Sequence, residues 1–192
     1  MIGKKAPNFN CKAVLQGEVK ELCLDTLGDC YKVLFFYPQD FTFVCPTELH
    51  AFQEKLEEFT KRNVAVIGCS VDDVTTHAKW LETPKEKGGI AGVCYPLLSD
   101  ESKQMCRAYG VLDEDAGVAF RGLFLLDKNN VVQSMVINNM SLGRNIDEVL
   151  RLVDALQFVE AHGQVCPANW QPGQEAMDAT TQGVCAFFAR SK

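Results

Sequence analysis

Lys32-Val33-Leu34-Phe35-Phe36-Tyr37 is the stretch of sequence that decides the fold, and Pro38 ends it. A continuous apolar run of this length, rich in aromatic residues and closed by a proline, is typical of a strand buried on both faces. A helix is predicted next, over 46–60, because its apolar residues recur at helical spacing and Pro46 suits a first helical position. Residues 64–71 predict a second buried strand. This strand-helix-strand order is typical of an α/β sheet.

Further elements extend this unit in both directions. Residues 8–24 predict a hairpin of two short strands around Gln16-Gly17. After residue 71, the patterns predict a helix over 73–82, a strand over 95–98, a helix over 99–109, strands over 122–127 and 131–137, and a helix over 145–161. Residues 174–192 are expected to form a tail with a short apolar end. The fold class predicted is therefore α/β, with a mixed central sheet and an N-terminal β-hairpin.

Composition excludes several classes of function. The 192 residues are 47% hydrophobic and carry a formal net charge of -6. A mildly acidic chain without a polybasic run lacks the basic patches that nucleic-acid and membrane-surface binders use, so no such partner is expected. Because we find neither an apolar signal region nor a stretch of about 18 apolar residues, we expect a cytoplasmic protein.

The nine cysteines do not form a pattern typical of a disulfide framework or a metal site. An odd number in a chain of this length argues for reduced thiols. No pair has Cys-x-x-Cys spacing, which argues against a zinc ribbon and a thioredoxin-type dithiol. His50, His77 and His162 are dispersed along the chain. We therefore expect no metal and no cofactor.

Cys45 stands between the predicted strand and the predicted helix, at a helix amino end. Unpaired N–H groups and the positive end of the helix dipole favour the thiolate there, and the thiolate is the nucleophilic form. Thr42 lies three residues earlier, and its hydroxyl can both donate and accept. Pro38 can shield the thiol from bulk water. From spacing alone, a buried structural cysteine beside an N-cap threonine is an equally good interpretation.

The pattern Pro38-x-x-x-Thr42-x-x-Cys45 resembles the peroxiredoxin signature. The surrounding Phe41–Leu49 segment is similar to the typical two-cysteine subgroup, which includes the bacterial alkyl hydroperoxide reductase peroxidases. Three further segments resemble the family in the same order along the chain. They are Phe120–Asp127, Leu142–Asn145 and Gly163–Trp170.

The resemblance implies a thioredoxin-like peroxidase domain over 1–162 and an extended C-terminal arm over 163–192. It implies that Cys45 attacks hydrogen peroxide or an organic hydroperoxide and becomes a sulfenic acid. Pro38, Thr42 and Arg121 would complete the pocket. Glu48 and Arg144 would support Arg121 through ion pairs.

The same resemblance assigns a second cysteine. Cys166 would condense with the Cys45 sulfenic acid of another subunit, which implies a homodimer. The family forms dimers and rings of five dimers, and a decamer is the expected assembly, although no periodicity in this sequence chooses between the two. Thioredoxin or a flavoprotein disulfide reductase would then reduce the disulfide. Cys185, in the tail, is interpreted as an adventitious thiol rather than an alternative resolving cysteine.

Two positions depart from the pattern of family members that over-oxidise easily. The glycine that ends their Gly-Gly-x-Gly loop is Ala91 here, and their C-terminal Tyr-Phe is Phe187-Phe188. Both motifs cover the reactive cysteine in such proteins, so we expect intermediate sensitivity to over-oxidation. A holdase chaperone and a thioredoxin-like redox carrier are the alternative functions, and the missing Cys-x-x-Cys argues against the carrier.

Overall fold

Seven strands form the central sheet, in a computed structural model that describes residues 1–190. Contacts divide the chain into two compact units, 1–146 and 147–192. The strands are β1 (Asn10–Leu15), β2 (Glu18–Cys23), β3 (Tyr31–Phe36), β4 (Val64–Ser70), β5 (Leu97–Ser99), β6 (Leu112–Asp113), β7 (Val118–Ala119), β8 (Arg121–Leu126) and β9 (Val132–Asn138). The helices are α1 (Cys45–Glu54), α2 (Leu56–Lys61), α3 (Val74–Glu82), α4 (Gln104–Ala108), α5 (Ile146–His162) and α6 (Thr181–Arg190).

The sheet has the order β2-β1-β5-β4-β3-β8-β9, and β6 and β7 form a separate two-stranded ribbon. Strand β3 runs parallel to β4 and antiparallel to β8. Strands β1 and β2 form the predicted N-terminal hairpin around Gln16-Gly17. The prediction of an α/β fold with a mixed central sheet is confirmed.

Strand β3 is buried along its whole length, as its apolar run predicts. Phe35 stacks on Phe52 of α1 with ring centroids 4.3 Å apart, which fixes that helix against the sheet. Gly68 lies opposite Phe35 on β4. A Cβ at Gly68 would stand 2.9 Å from a Leu97 methyl and 3.0 Å from the tip of the Phe35 ring, so a larger residue would displace these side chains.

The helix predicted over 46–60 is interrupted in the structure. Lys55 adopts φ -101° and ψ 3°, which ends α1 before α2 begins. The break does not move the apolar stripe away from the core, because Phe52 and Phe59 are both fully buried. The helix predicted over 99–109 is also shorter, since α4 covers only Gln104–Ala108.

The unit 147–192 contains most of α5 and the whole of α6. Val165 pairs with Met177 in a short antiparallel bridge. Trp170 is buried and packs against Phe158 with ring centroids 5.1 Å apart. Helix α6 lies in the segment predicted as a tail, where ten residues are too few for a clear helical pattern in the sequence. The predicted division between a domain over 1–162 and an arm over 163–192 stays a prediction.

Among residues 1–190, no helix has the length and apolar character needed to cross a membrane.

Candidate active site

The loop that leaves β3 carries Cys45 to the start of α1. Pro38 is buried immediately after the strand, and Phe41 adopts a positive φ of 53°, which turns the chain. Cys45 is the first residue of α1 and is fully buried. The predicted position of this thiol at a helix amino end is therefore found in the structure.

Arg121 approaches Cys45 from the first residue of β8. Its Nη1 lies 3.4 Å from the Cys45 Sγ and 2.7 Å from Glu48 Oε2. Its Nε donates to the Met140 carbonyl at 2.6 Å. The guanidinium is only 3% exposed, so its charge acts on the thiol with little solvent screening.

Glu48 joins two buried arginines. Its Oε1 accepts from the backbone N–H and the Nε of Arg144, each at 2.8 Å, and its Oε2 accepts from Arg144 Nη2 at 2.7 Å. Burial disfavours the Glu48 carboxylate, but the hydrogen bonds and charge of Arg144, together with the charge of Arg121, outweigh it and lower the Glu48 pKa. The carboxylate therefore stays ionised between the two guanidiniums.

Arg144 is itself fixed by the sheet. Its Nη1 donates to the carbonyls of Phe36 at 2.8 Å and Gly122 at 2.7 Å. Its guanidinium lies 5.2 Å from the centroid of the Phe35 ring. Because β3 and β8 are paired neighbours, Arg144 holds the ends of both strands beside α1.

A cavity of about 350 Å³ opens beside this cluster. It brings together Pro38, Thr42 and Arg121, three of the residues that the sequence singles out. The Thr42 hydroxyl donates to the Gln39 carbonyl at 2.8 Å, so the lone pairs of its oxygen remain available to accept a hydrogen bond. Val44, and not Thr42, occupies the N-cap position of α1.

Cys166 lies in the second unit and is half-buried. Its Sγ is 3.9 Å from the Ala155 carbonyl. Burial raises the Cys166 pKa, and the charge of Arg151 opposes the shift without cancelling it. The raised pKa keeps this thiol protonated near neutral pH, so its surroundings here do not activate it as a nucleophile.

The other cysteines differ widely in exposure. Cys69 is fully buried, and its pKa is raised well above the usual value, chiefly by burial. Burial, with the charge of Asp100, raises the pKa of Cys11 to about 11. Cys94 and Cys185 are exposed.

The glycine-rich loop, residues 88–92, packs on both α1 and α3. His50 Nε2 bonds the Gly89 carbonyl at 3.0 Å, and Trp80 Nε1 donates to the Gly88 carbonyl at 2.9 Å. A Cβ at Gly89 would lie 1.9 Å from the Thr83 carbonyl oxygen, so this position requires glycine. Ala91 is exposed and adopts no positive φ, which explains why alanine is accepted there.

One buried polar network could not be predicted from the sequence. Asp40, in the loop before Cys45, binds Tyr37 and also His77 of α3. The sequence places Asp40 inside the motif but gives no indication of its partner, because His77 is 37 residues away. Among residues 1–190, no group of three or more His, Cys, Asp or Glu side chains could hold a metal ion.

Known protein families and individual proteins match the chain along most of its length. Residues 2–135 match the AhpC/TSA family, and residues 155–190 match the C-terminal domain of 1-Cys peroxiredoxin. The chain is 44% identical over 189 residues to a thioredoxin peroxidase of Echinococcus granulosus, covering 98% of both chains. It is 46% identical over 190 residues to the chloroplastic 2-Cys peroxiredoxin BAS1 of Hordeum vulgare, covering 98% of this chain and 90% of the other.

Among solved structures, the chain resembles the reduced 2-Cys peroxiredoxin of Plasmodium vivax. The TM-score is 0.95 at 43% identity, with 98% of both chains covered. This match confirms the expected thioredoxin-like fold.

Proposed function

Since this chain belongs to the AhpC/TSA family of peroxiredoxins and is a thiol-dependent peroxidase, we propose that Cys45 is the cysteine that attacks the peroxide. The observation that carries this proposal is the distance of 3.4 Å between Arg121 Nη1 and the Sγ of a fully buried thiol. A fixed cation at that distance stabilises the thiolate and the negative charge that develops during attack.

The reaction follows from the atoms around the cavity. The Cys45 thiolate bonds to one peroxide oxygen while the O–O bond breaks, and the other oxygen leaves as hydroxide or alkoxide and takes up a proton. Thr42 accepts a hydrogen bond from the peroxide O–H, because its own proton is directed to the Gln39 carbonyl. Arg121 stabilises the leaving oxygen, and Pro38 limits access of water. The products are Cys45 sulfenic acid and water or an alcohol.

The second half of the cycle uses Cys166. Its thiol condenses with the sulfenic acid of a second copy of the chain, which releases water and forms an intersubunit disulfide. A dithiol then reduces the disulfide by exchange. The name of the Echinococcus granulosus relative supports thioredoxin as this reductant, and a flavoprotein disulfide reductase is the alternative. Hydrogen peroxide and small organic hydroperoxides are the proposed substrates.

The proposed assembly is a homodimer that associates into a decamer, and the proposed location is the cytoplasm. The homodimer follows from the proposed intersubunit disulfide, which needs two copies to complete each site, and the decamer is what the family resemblance implies. One relative is chloroplastic, so the location is tested separately by fractionation.

Non-reducing gels after peroxide treatment test the pair of cysteines. We expect a disulfide-linked dimer for the wild type and for the matched control Cys185→Ser, which removes an exposed thiol of the same unit. We expect only monomer for Cys45→Ser and for Cys166→Ser. A dimer formed by Cys166→Ser but not by a Cys166→Ser/Cys185→Ser double variant would instead assign resolution to Cys185.

Peroxide consumption tests Cys45 itself. With thioredoxin and its reductase supplied, Cys45→Ser should consume no peroxide. If it consumes peroxide at the wild-type rate, Cys45 is not the reacting thiol. Mass spectrometry across a peroxide titration measures the fraction of Cys45 that is over-oxidised to sulfinic acid. We expect this fraction to be lower than in a family member that over-oxidises easily, and an equally high fraction would contradict intermediate sensitivity.

A further inference from the structure

A buried ion pair lies beneath the loop that presents Cys45. His77 Nδ1 and Asp40 Oδ2 are 2.7 Å apart, and both side chains are fully buried. Asp40 lies between Pro38 and Thr42 in sequence, whereas His77 lies on α3. The pair therefore connects the peroxide-binding loop to an element that carries none of the residues assigned to the reaction.

Asp40 is held by three separate groups. Its Oδ1 accepts from the Tyr37 hydroxyl at 2.9 Å, and its Oδ2 faces His77. Its backbone N–H donates to Asp72 Oδ2 at 2.9 Å. Since the next residue, Phe41, adopts a positive φ, the path of the loop depends on these contacts rather than on local preference.

The hydrogen bonds of His77 define its proton state. Its Nε2 lies 3.2 Å from the Leu98 carbonyl, which can only accept, so Nε2 carries a proton. Its Nδ1 faces a carboxylate, so a second proton is shared between Nδ1 and Asp40 Oδ2. The pair is then neutral overall, which suits a site without water contact.

The charges around His77 favour the imidazolium. Asp40 faces it from the loop, Asp72 from the end of β4, and Asp73 caps its own helix. Burial disfavours the imidazolium, but the Asp40 hydrogen bond and the charges of Asp40 and Asp72 outweigh it and raise the His77 pKa. Tyr37 stays a neutral donor, because burial and the charge of Asp40 raise its pKa well above the usual value.

We propose that His77 is a positioning residue for peroxide reduction. Through its ion pair with Asp40 it fixes the loop that contains Thr42 and leads to Cys45. The inference rests on the proposed role of Cys45. When His77 loses one of its two protons, the ring becomes neutral, so the ion pair with Asp40 is lost and one of the two ring nitrogens no longer donates to its partner, Asp40 or the Leu98 carbonyl. The loop then loosens, and the reaction of Cys45 with peroxide slows as pH rises.

Two substitutions of His77 separate positioning from packing. Asparagine places an amide donor near the position of Nδ1, toward Asp40, while glutamine places one near the position of Nε2, toward Leu98. His77→Gln should lower the second-order rate constant with peroxide about 10-fold, because small displacements of a reacting group are costly. His77→Asn should recover most of that rate. The matched control His50→Gln removes another buried histidine bonded to a backbone carbonyl and should keep the wild-type dependence on pH.

The pH profile gives the decisive readout. The wild-type rate constant should fall on the alkaline side, and this fall should be absent from His77→Asn, whose amide does not titrate. If wild type and His77→Asn have the same profile, the His77 proton has no role. If His77→Gln reacts at the wild-type rate, or if both variants lose rate equally, His77 contributes packing alone. Should His77→Gln fail to fold, the profiles of wild type and His77→Asn still decide the proposal.

Trp80 reports on the loop without any peroxide chemistry. Its ring lies 5.9 Å from that of Phe41 and 6.0 Å from that of Tyr37. In a Trp170→Phe background, raising the pH or introducing His77→Gln should shift the Trp80 emission, whereas His77→Asn should not respond to pH. The proposal would be overturned if the Trp80 emission changed neither when the pH is raised on the protein with His77 nor when His77→Gln is introduced. Because this signal does not depend on sulfur oxidation, it separates failure of the His77 proposal from failure of the Cys45 assignment.

Discussion

Replacing Glu48 with glutamine tests the charge cluster that positions Arg121. The amide keeps the shape of the side chain but removes its charge, and its NH₂ group turns toward guanidinium donors. Each Glu48 oxygen accepts two hydrogen bonds, so the amide loses at least two of four. At about 1.5–3 kcal/mol for each charge-assisted bond, the loss is about 3–6 kcal/mol. Breaking a buried ion pair from one side costs about 3–5 kcal/mol, which agrees.

Urea unfolding of wild type and Glu48→Gln at equal protein concentration measures this loss. The control is Glu58→Gln on α2, whose partners Lys61 and Arg62 are at the surface. Such exposed pairs contribute about 0–1 kcal/mol, so the control should unfold near the wild-type midpoint. A Glu48→Gln protein within 1 kcal/mol (roughly the surface-pair range) of wild type would refute the argument from burial.

The difference in unfolding free energy between wild type and Glu48→Gln should also change with pH in one direction. The pKa of Glu48 is lowered in the folded protein from a reference value of 4.5. Its ionic contribution is therefore fully present above that value and is lost as pH falls through the folded pKa. The gap in unfolding free energy between wild type and Glu48→Gln should stay constant near neutral pH and narrow on acidification below about pH 4.5. A gap that widens in acid would contradict the assignment of an ionised Glu48.

Three further predictions concern other groups. Arg121→Lys should lower the rate constant of Cys45 with peroxide about 10²–10³-fold, because lysine cannot reach Sγ, Glu48 and the Met140 carbonyl together. Stopped-flow fluorescence measures this rate constant. A value near wild type would exclude a role for the guanidinium geometry in the reaction. Gly89→Ala should destabilise the protein by about 1–3 kcal/mol through its clash with Thr83, whereas Ala91→Gly should cost less than about 1 kcal/mol; equal thermal shifts would contradict the packing. Iodoacetamide at pH 8 should label Cys94 and Cys185 well before Cys11, whose pKa of about 11 leaves about 0.1% thiolate; rapid labelling of Cys11 in a mass-spectrometric time course would contradict that value.

Local patterns were sufficient for the seven strands of the central sheet and for the place of Cys45, but not for the short ribbon of β6 and β7. The apolar run before Pro38 predicts β3 because burial on both faces leaves a continuous signature, and Pro46 marks the helix start. The interruption at Lys55 was not predictable in the same way. The stripe from Leu49 to Phe59 keeps its helical spacing across the break, so periodicity alone gives one helix where the structure has two.

The partners of the site residues could be named from a family resemblance, but their contacts depend on the folded sheet. Glu48 and Arg144 are 96 residues apart, and Glu48 and Arg121 are 73 apart. Only the pairing of β3 with β8 brings Arg121 to Sγ. The buried pair of Asp40 and His77 shows the same dependence, since nothing in either neighbourhood indicates the other.

The sequence by itself therefore determined the strand-helix-strand unit, the position of a thiol at a helix start and the motifs that mark the family. These depend on residues that are neighbours along the chain, so composition and spacing report them. The tertiary structure decided how the charges meet inside the protein: it brings Arg121 to Glu48, a pairing that the family resemblance implies, and His77 to Asp40, which nothing in the sequence indicates. A buried charge is stable only beside its partner, and strand register and helix packing, not sequence distance, decide which partner that is.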